Sequence, residues 1–273
     1  MSQPWPAVAL VVGSGTGAVL AGVLVALAPR RLVRENRAGR QVPVVLGVAF
    51  VAATAIGSAT AFLSAEAELA PAIGIALGGA AVLAAVGLLD DLVGGSERGF
   101  REHLGSALRL HPTTGVLKLA AGVGASIAFA TVAGGGVVRV VAVAVLVAAC
   151  TNVWNALDVV PGRSVKWAVV VLALTLPRAL AAGGGEVQSA TLGAAAAVLP
   201  FDLLERGMLG DAGSNPLGFL VGVALALVLP TVGVVIAASL ALLLQVAAET
   251  VTISRLIEAA APFRWFDRVG RRA

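Results

Sequence analysis

The chain contains one cysteine, two histidines and few charges, with 12% charged residues set against 59% hydrophobic ones. A single Cys150 excludes an internal disulfide framework, and its apolar surroundings mark it as a small packing residue. So small a charged share, with a mean hydropathy of +0.97, excludes an ordinary soluble domain. His103 and His111 sit in polar stretches and read as loop residues rather than ligands. The net charge of +4 does not call for nucleic acid as a partner, because basic loops facing anionic headgroups account for it.

What the chain has instead is a succession of apolar runs, each about 20 residues long and so sufficient to cross a hydrocarbon core of ~30 Å as a helix. The runs predict an all-α polytopic membrane protein with nine transmembrane helices, at about 7–29, 43–63, 70–89, 114–133, 137–155, 167–182, 187–204, 215–230 and 231–254. The first run lacks a basic leader and reads as a retained span. Residues 1–254 form one transmembrane domain, and 255–273 a basic, aromatic tail.

Arginine and lysine stay preferentially on the cytoplasmic side of a membrane. Of the nineteen basic residues, all but Lys118, Arg139 and Arg178 fall in alternate breaks, which include Arg30 to Arg40, Arg98, Arg101, Arg109, Arg163, Lys166, Arg206 and the tail. The opposite breaks carry Glu66, Glu68 and Glu186. This threading places the amino terminus outside and the carboxyl terminus in the cytoplasm of an inner membrane.

The acids are the chemically informative residues. Asp90 and Asp91, then Asp158, then Asp211 each follow an apolar run, and the threading puts all four on the cytoplasmic face. A carboxylate inside a bilayer costs several kcal/mol, so acids gathered at helix ends point to a site for a cation and phosphates. The plainer reading is that they only terminate helices. Asn152, Asn155 and Asp158 are spaced by three and share a helical stripe, facing one cavity or making interhelical polar contacts. Gly210, Gly213 and Ser214 bracket Asp211 in a turn that lets backbone approach an anion, or that merely turns. Lys118 lies about one turn into the fourth run, paired or snorkelling to the surface.

In order, Gly87-Leu-Leu-Asp90-Asp91, Lys118, Asn152-x-x-Asn155-x-x-Asp158 and Gly210-Asp211-Ala-Gly213-Ser214-x-x-Leu-Gly218 resemble the polyprenyl-phosphate N-acetylhexosamine-1-phosphate transferases. That superfamily includes phospho-N-acetylmuramoyl-pentapeptide translocase. The first inner loop, Asn36-x-x-Gly39-x-x-Val42-Pro43, looks like the family's as well, so the resemblance covers about residues 34 to 220. It implies transfer of a sugar 1-phosphate from a UDP-sugar to polyprenyl phosphate for cell-envelope polymers such as peptidoglycan, with Mg²⁺ and release of UMP. It further implies catalytic roles for Asp90, Asp91 and Asp158, metal binding by Asp211 and Asp91, and substrate binding by Lys118, Asn152, Asn155, Gly210, Gly213 and Ser214.

The chain also departs from that pattern. Where the family continues with a second acid after Asp158, this chain has Pro161, and Asp202 and Arg206 only approximate a motif that precedes Gly-Asp. The last inner segment, Ala261-Pro-Phe-Arg264-Trp265-Phe266-Asp267-Arg268, lacks the family's histidines. It reads as an amphipathic membrane-surface segment, or as a replacement in which Arg264 binds nucleotide phosphate. These departures keep open a relative that binds lipid carrier or nucleotide without turnover, as a scaffold for envelope assembly. A transporter fits less well, since the acids lie at one interface. Glycine and alanine abundance adds homodimerisation as an expectation.

Overall fold

The computed structural model describes residues 4–64, 70–93, 114–182, 184–250 and 253–271. Glu66, Glu68, Arg98, Arg101, His103, Arg109, His111, Gly183 and Arg272 lie outside the described residues. Among the described residues, each of the nine apolar runs overlaps a long helix: α1 (Trp5–Ala26), α2 (Leu46–Ser64), α3 (Ala70–Val93), α4 (Thr114–Ala133), α5 (Val137–Leu157), α6 (Arg163–Ala181), α7 (Glu186–Leu203), α8 (Asp211–Val228) and α9 (Thr231–Thr250). Two short helices follow, α10 (Ile253–Ala259) and α11 (Ala261–Arg268). Seven of the helices, α1, α3, α4, α5, α6, α8 and α9, are long and apolar enough to cross a membrane.

The chain is not purely helical. After a 3-10 turn at Arg30–Leu32, β1 (Val33–Glu35) pairs antiparallel with β2 (Gln41–Pro43), Arg34 lying opposite Val42. Asn36 builds the connecting loop: its Oδ1 accepts the backbone N–H of Ala38 and of Arg40, each at 2.9 Å, and Gly39 has the positive φ the turn requires. The segment reading as a basic loop is therefore a hairpin, too short to leave an alternating apolar signature.

The hairpin places the entry to α8. Met208 donates to the Pro43 carbonyl at 2.7 Å, while Leu46 and Gly47 donate to the carbonyls of Met208 and Leu209, each at 3.1 Å. Asn36 Nδ2 and Arg40 Nη1 meet the Glu205 carboxylate at 2.5 and 2.9 Å, fastening the hairpin to the end of α7.

Packing centres on α8. Its span is 83% buried, whereas the other candidate spans are 17–50% buried. Helices α3, α5 and α6 pack against it, α4 fills in beside α3, α9 lies on α5, and α1 and α2 wrap α7. Phe219, Leu217 and Val221 of α8 are fully buried among Leu83, Leu146, Val147 and Phe129. The outer surfaces are apolar, with Val11, Leu174 and Leu243 exposed, as suits helices whose solvent is lipid.

Both ends of α8 are electrostatically completed. At its carboxyl end, Arg139 donates to the carbonyls of Ala226 at 2.8 Å and Leu229 at 3.1 Å, and Arg178 Nε donates to Val228 at 2.7 Å. The two arginines on the sparsely basic side of the threading thus satisfy carbonyls that a helix end leaves open.

The expected homodimer finds no support, and the small residues have another use. Gly13 lets α1 touch the backbone of α7 at Ala190, and Gly222 lets α8 lie against Val147 of α5; a Cβ at either would stand within 3 Å of those neighbours. The glycines close helices onto each other within one chain.

Candidate active site at one end of the helix bundle

Asp90, Lys118 and Asp211 meet where α3 ends, α4 begins and α8 begins. Lys118 Nζ donates to Asp90 Oδ2 at 2.7 Å and to Asp211 Oδ2 at 2.5 Å. The three side chains are 17–24% exposed, enough for solvent or a ligand to reach them. Residues 28 and 93 positions from Lys118 have become its immediate partners. The lysine therefore does not merely snorkel: it bridges two carboxylates and offsets one of their two charges.

Asp91 takes a different position from Asp90. One oxygen accepts the backbone N–H of Asp211 at 3.3 Å and the other that of Ala212 at 3.1 Å. The next two amides, Gly213 and Ser214, donate to the Gly210 carbonyl at 3.0 and 2.9 Å. All four amides of the first turn of α8 are thus engaged. The anion held at the Gly-Asp-Ala-Gly turn is the protein's own Asp91, which satisfies orphan donors and opposes the positive end of the helix. Gly210 has φ of 66°, and a Cβ there would stand 2.8 Å from Asp91 Oδ2. Arg34 of the hairpin donates to the Asp91 carbonyl at 2.6 Å, holding the end of α3 in place.

Asp158 caps the carboxyl end of α5, and its Oδ1 accepts the Ser164 hydroxyl at 2.7 Å. Burial, then the negative charge of Asp202, pushes its pKa well above the ordinary carboxylate range, with Asp211 and Asp91 adding to the effect. The charges of these acids therefore act on one another at one end of the bundle. Asn155 Oδ1 accepts the Ser214 hydroxyl at 2.9 Å, joining α5 to α8 beneath the carboxylates. Asn152 is half-buried on the same helix. Ser214 thus serves α5–α8 packing.

Two acids and a serine to which the sequence assigned no role join the picture. Asp202, 3% exposed, accepts the Gly162 backbone N–H at 2.9 Å and shares a small cavity with Asp158, Asn36 and Arg37. An acid ending the apolar run of α7 is the signal that points to it. Ser164 leaves no signal, because its importance follows from Gly162 turning the chain back toward Asp158. Asp267 pairs with Arg163, whose Nε and Nη2 donate to its two oxygens at 2.8 and 3.0 Å.

The carboxyl-terminal segment packs on α6. Lys166 Nζ donates to the carbonyls of Phe266, Asp267 and Val269 at 2.8, 2.7 and 3.0 Å, closing the end of α11. Trp167 meets Phe263 and Phe266 edge-on, with centroids 5.8 and 4.8 Å apart. Arg264 donates to the Glu258 carbonyl at 3.0 Å and lines a cavity that none of Asp90, Lys118 and Asp211 lines.

Among the described residues, no group of three or more His, Cys, Asp or Glu side chains is arranged to hold a metal ion. The donors at the centre nevertheless fit magnesium. That ion takes oxygen ligands, keeps several waters and uses one or two carboxylates together with substrate phosphates, so a closed protein cage is not its usual site. Asp90 and Asp211 supply two such carboxylates, and the Lys118 ammonium between them marks a place where positive charge is favoured.

Fold and site together define a multi-pass helical membrane protein with a carboxylate–lysine centre at one end of its bundle. The model of glycosyl transferase family 4 matches residues 73–230, more than half of the chain, and the chain belongs to that family, a family of transferases. A comparison with curated proteins gives no match.

Proposed function

We propose that the protein moves a sugar 1-phosphate from a UDP-sugar onto polyprenyl phosphate at the cytoplasmic face of an inner membrane, producing polyprenyl-diphosphate-sugar and UMP. Nine helices cross the bilayer in this reading, with the amino terminus outside. The observation that carries it is the Lys118 bridge between Asp90 and Asp211, formed where three apolar helices end together. A lipid-borne phosphate and a water-borne diphosphate must meet at such an interface, and their mutual repulsion requires concentrated positive charge.

An oxygen of the lipid phosphate attacks the sugar-side phosphorus of the UDP-sugar, a new P–O bond forms, and the diphosphate bridge breaks to leave UMP. Lys118 has three N–H donors, two of them used by carboxylates, so one remains to orient a phosphate oxygen. Asp90 stands beside it as the acceptor of a proton from a singly ionised lipid phosphate. Asp91 fixes the position of Asp211 through the first turn of α8. Asp158 lines the adjoining cavity with Asn36, Arg37 and Asp202, where it would meet substrate. Asp211 and Asp90 would hold magnesium, Asp90 in place of the expected Asp91, whose two oxygens accept amides of α8; the ion when bound supplies positive charge to the diphosphate.

The competing reading is a relative that binds lipid carrier or nucleotide without turnover. It is favoured by Pro161 in place of a family acid and by a centre in which Lys118 already occupies an oxygen of both Asp90 and Asp211. Purified protein with Mg²⁺, polyprenyl phosphate and labelled UDP-sugars separates the two. Labelled lipid with equimolar UMP, abolished by Asp211→Asn, is the expected result. Ligand binding without either product would establish the non-catalytic reading.

A further inference from the structure

Helix α11 buries its acid and exposes two of its three aromatics beside two arginines. Its acid, Asp267, is 5% exposed, while Trp265 is 70% and Phe263 50% exposed. The buried face is held by Arg163 and Lys166 of α6, so the exposed aromatics are a fixed feature of the docked helix. Beside them lies a cavity of about 250 Å³ lined by Arg37, Arg163, Arg264, Arg268 and Arg271, with Glu258 and Asp267 the acids in its wall. Five cations against two anions leave the cavity strongly positive. Arg271 pairs with Asp267, and its Nε is buried there without a hydrogen-bond partner among the described residues.

We propose that this arginine basin, which shares Arg37 with the cavity of Asp158 but is lined by none of Asp90, Lys118 and Asp211, binds the phosphate of an acidic phospholipid of the inner leaflet. Aromatic side chains of an interfacial helix enter the headgroup and acyl boundary, and arginines beside them sit at the level of lipid phosphates. A guanidinium offers paired N–H donors to phosphate oxygens, and several around one cavity hold a phosphate that a single surface arginine would not. A soluble nucleotide would also meet the arginines, but it gives no account of the outward-facing Trp265 and Phe263. The lipid assignment does not depend on turnover, so it stands or falls apart from the transferase reading. Bound phospholipid would hold α10 and α11 against the membrane and so keep α6 and Asp158 in register.

Native mass spectrometry of the full-length protein in detergent, titrated with phosphatidylglycerol, phosphatidylcholine and UDP, tests this. One phosphatidylglycerol is expected to remain bound, roughly tenfold more tightly than phosphatidylcholine. The paired variant Arg264→Gln/Arg268→Gln, both sites being exposed, is expected to erase that preference, and Arg37→Gln to weaken it should the pair fail to fold. Saturating UDP should leave the lipid in place. Equal retention of the two lipids, a preference unchanged in the variants, or displacement of lipid by UDP would overturn the assignment, the last by making the basin a nucleotide site.

Discussion

The carboxylate of Asp91 receives the backbone amide of Asp211 at 3.3 Å across 120 positions of sequence, so one acid of the centre is set in place by another. Adjacent in the chain, Asp90 and Asp91 have separated duties: Asp90 faces Lys118, and Asp91 faces the start of α8.

Asp91→Ala removes the anion from the first turn of α8. A lost helix cap costs about 1 kcal/mol, which lowers the unfolding temperature by roughly 2–4 °C in a chain of this size. Thermal unfolding in detergent should show this drop, with transfer activity falling in parallel as Asp211 shifts. Asp211→Asn should abolish activity while leaving the unfolding temperature close to wild type.

Lys118→Met leaves Asp90 and Asp211 facing each other without an intervening cation. Loss of a group that stabilises developing charge lowers turnover by roughly 10²–10³, and the radiolabelled lipid assay should register a fall of that order. Lys118→Arg should recover only part of it, since a planar fork cannot reproduce a compact ammonium.

Arg139→Met and Arg178→Met should each destabilise the protein by roughly 1–3 kcal/mol, because the Ala226, Val228 and Leu229 carbonyls lose their donors in an apolar setting. Unfolding temperatures should fall, while Kd for nucleotide, a property of the far end of α8, stays unchanged.

Docking of α11 should depend on acid. Burial alone would raise the Asp267 pKa, but hydrogen bonds and charge from Arg163, with charge from Arg271, bring it below its ordinary value of 3.8. Because the folded value is depressed, the stabilisation is fully present above 3.8 and is lost as pH falls through the folded value beneath it. A nitroxide on Trp265→Cys should give an immobilised spectrum at neutral pH that becomes mobile only in strong acid. Adding Arg163→Gln should give the mobile spectrum at neutral pH.

Nine apolar runs were legible as helices because hydrophobic length needs no tertiary information. Where the first turn of a helix is polar, the same signal failed: α6 begins at Arg163 and α8 at Asp211, each about four residues before the apolar run suggests. The gathering of Asp90, Asp158 and Asp211 at one end was readable from helix parity and loop charge. Lys118 as the bridge between Asp90 and Asp211 was not, since a lysine one turn into an apolar helix looks the same whether it snorkels or pairs.

By itself the sequence determined which segments are apolar helices and which acids stand at their ends, because both follow from transfer free energy and from the order of residues along one chain. Only the tertiary structure decided that Asp91 caps α8, that Arg139 and Arg178 close its other end, and that Arg163 holds Asp267 beneath an outward-facing Trp265. Those pairings are set by how close particular helices approach and by the rotation of each about its axis, and partners so far apart in sequence leave no periodicity to read.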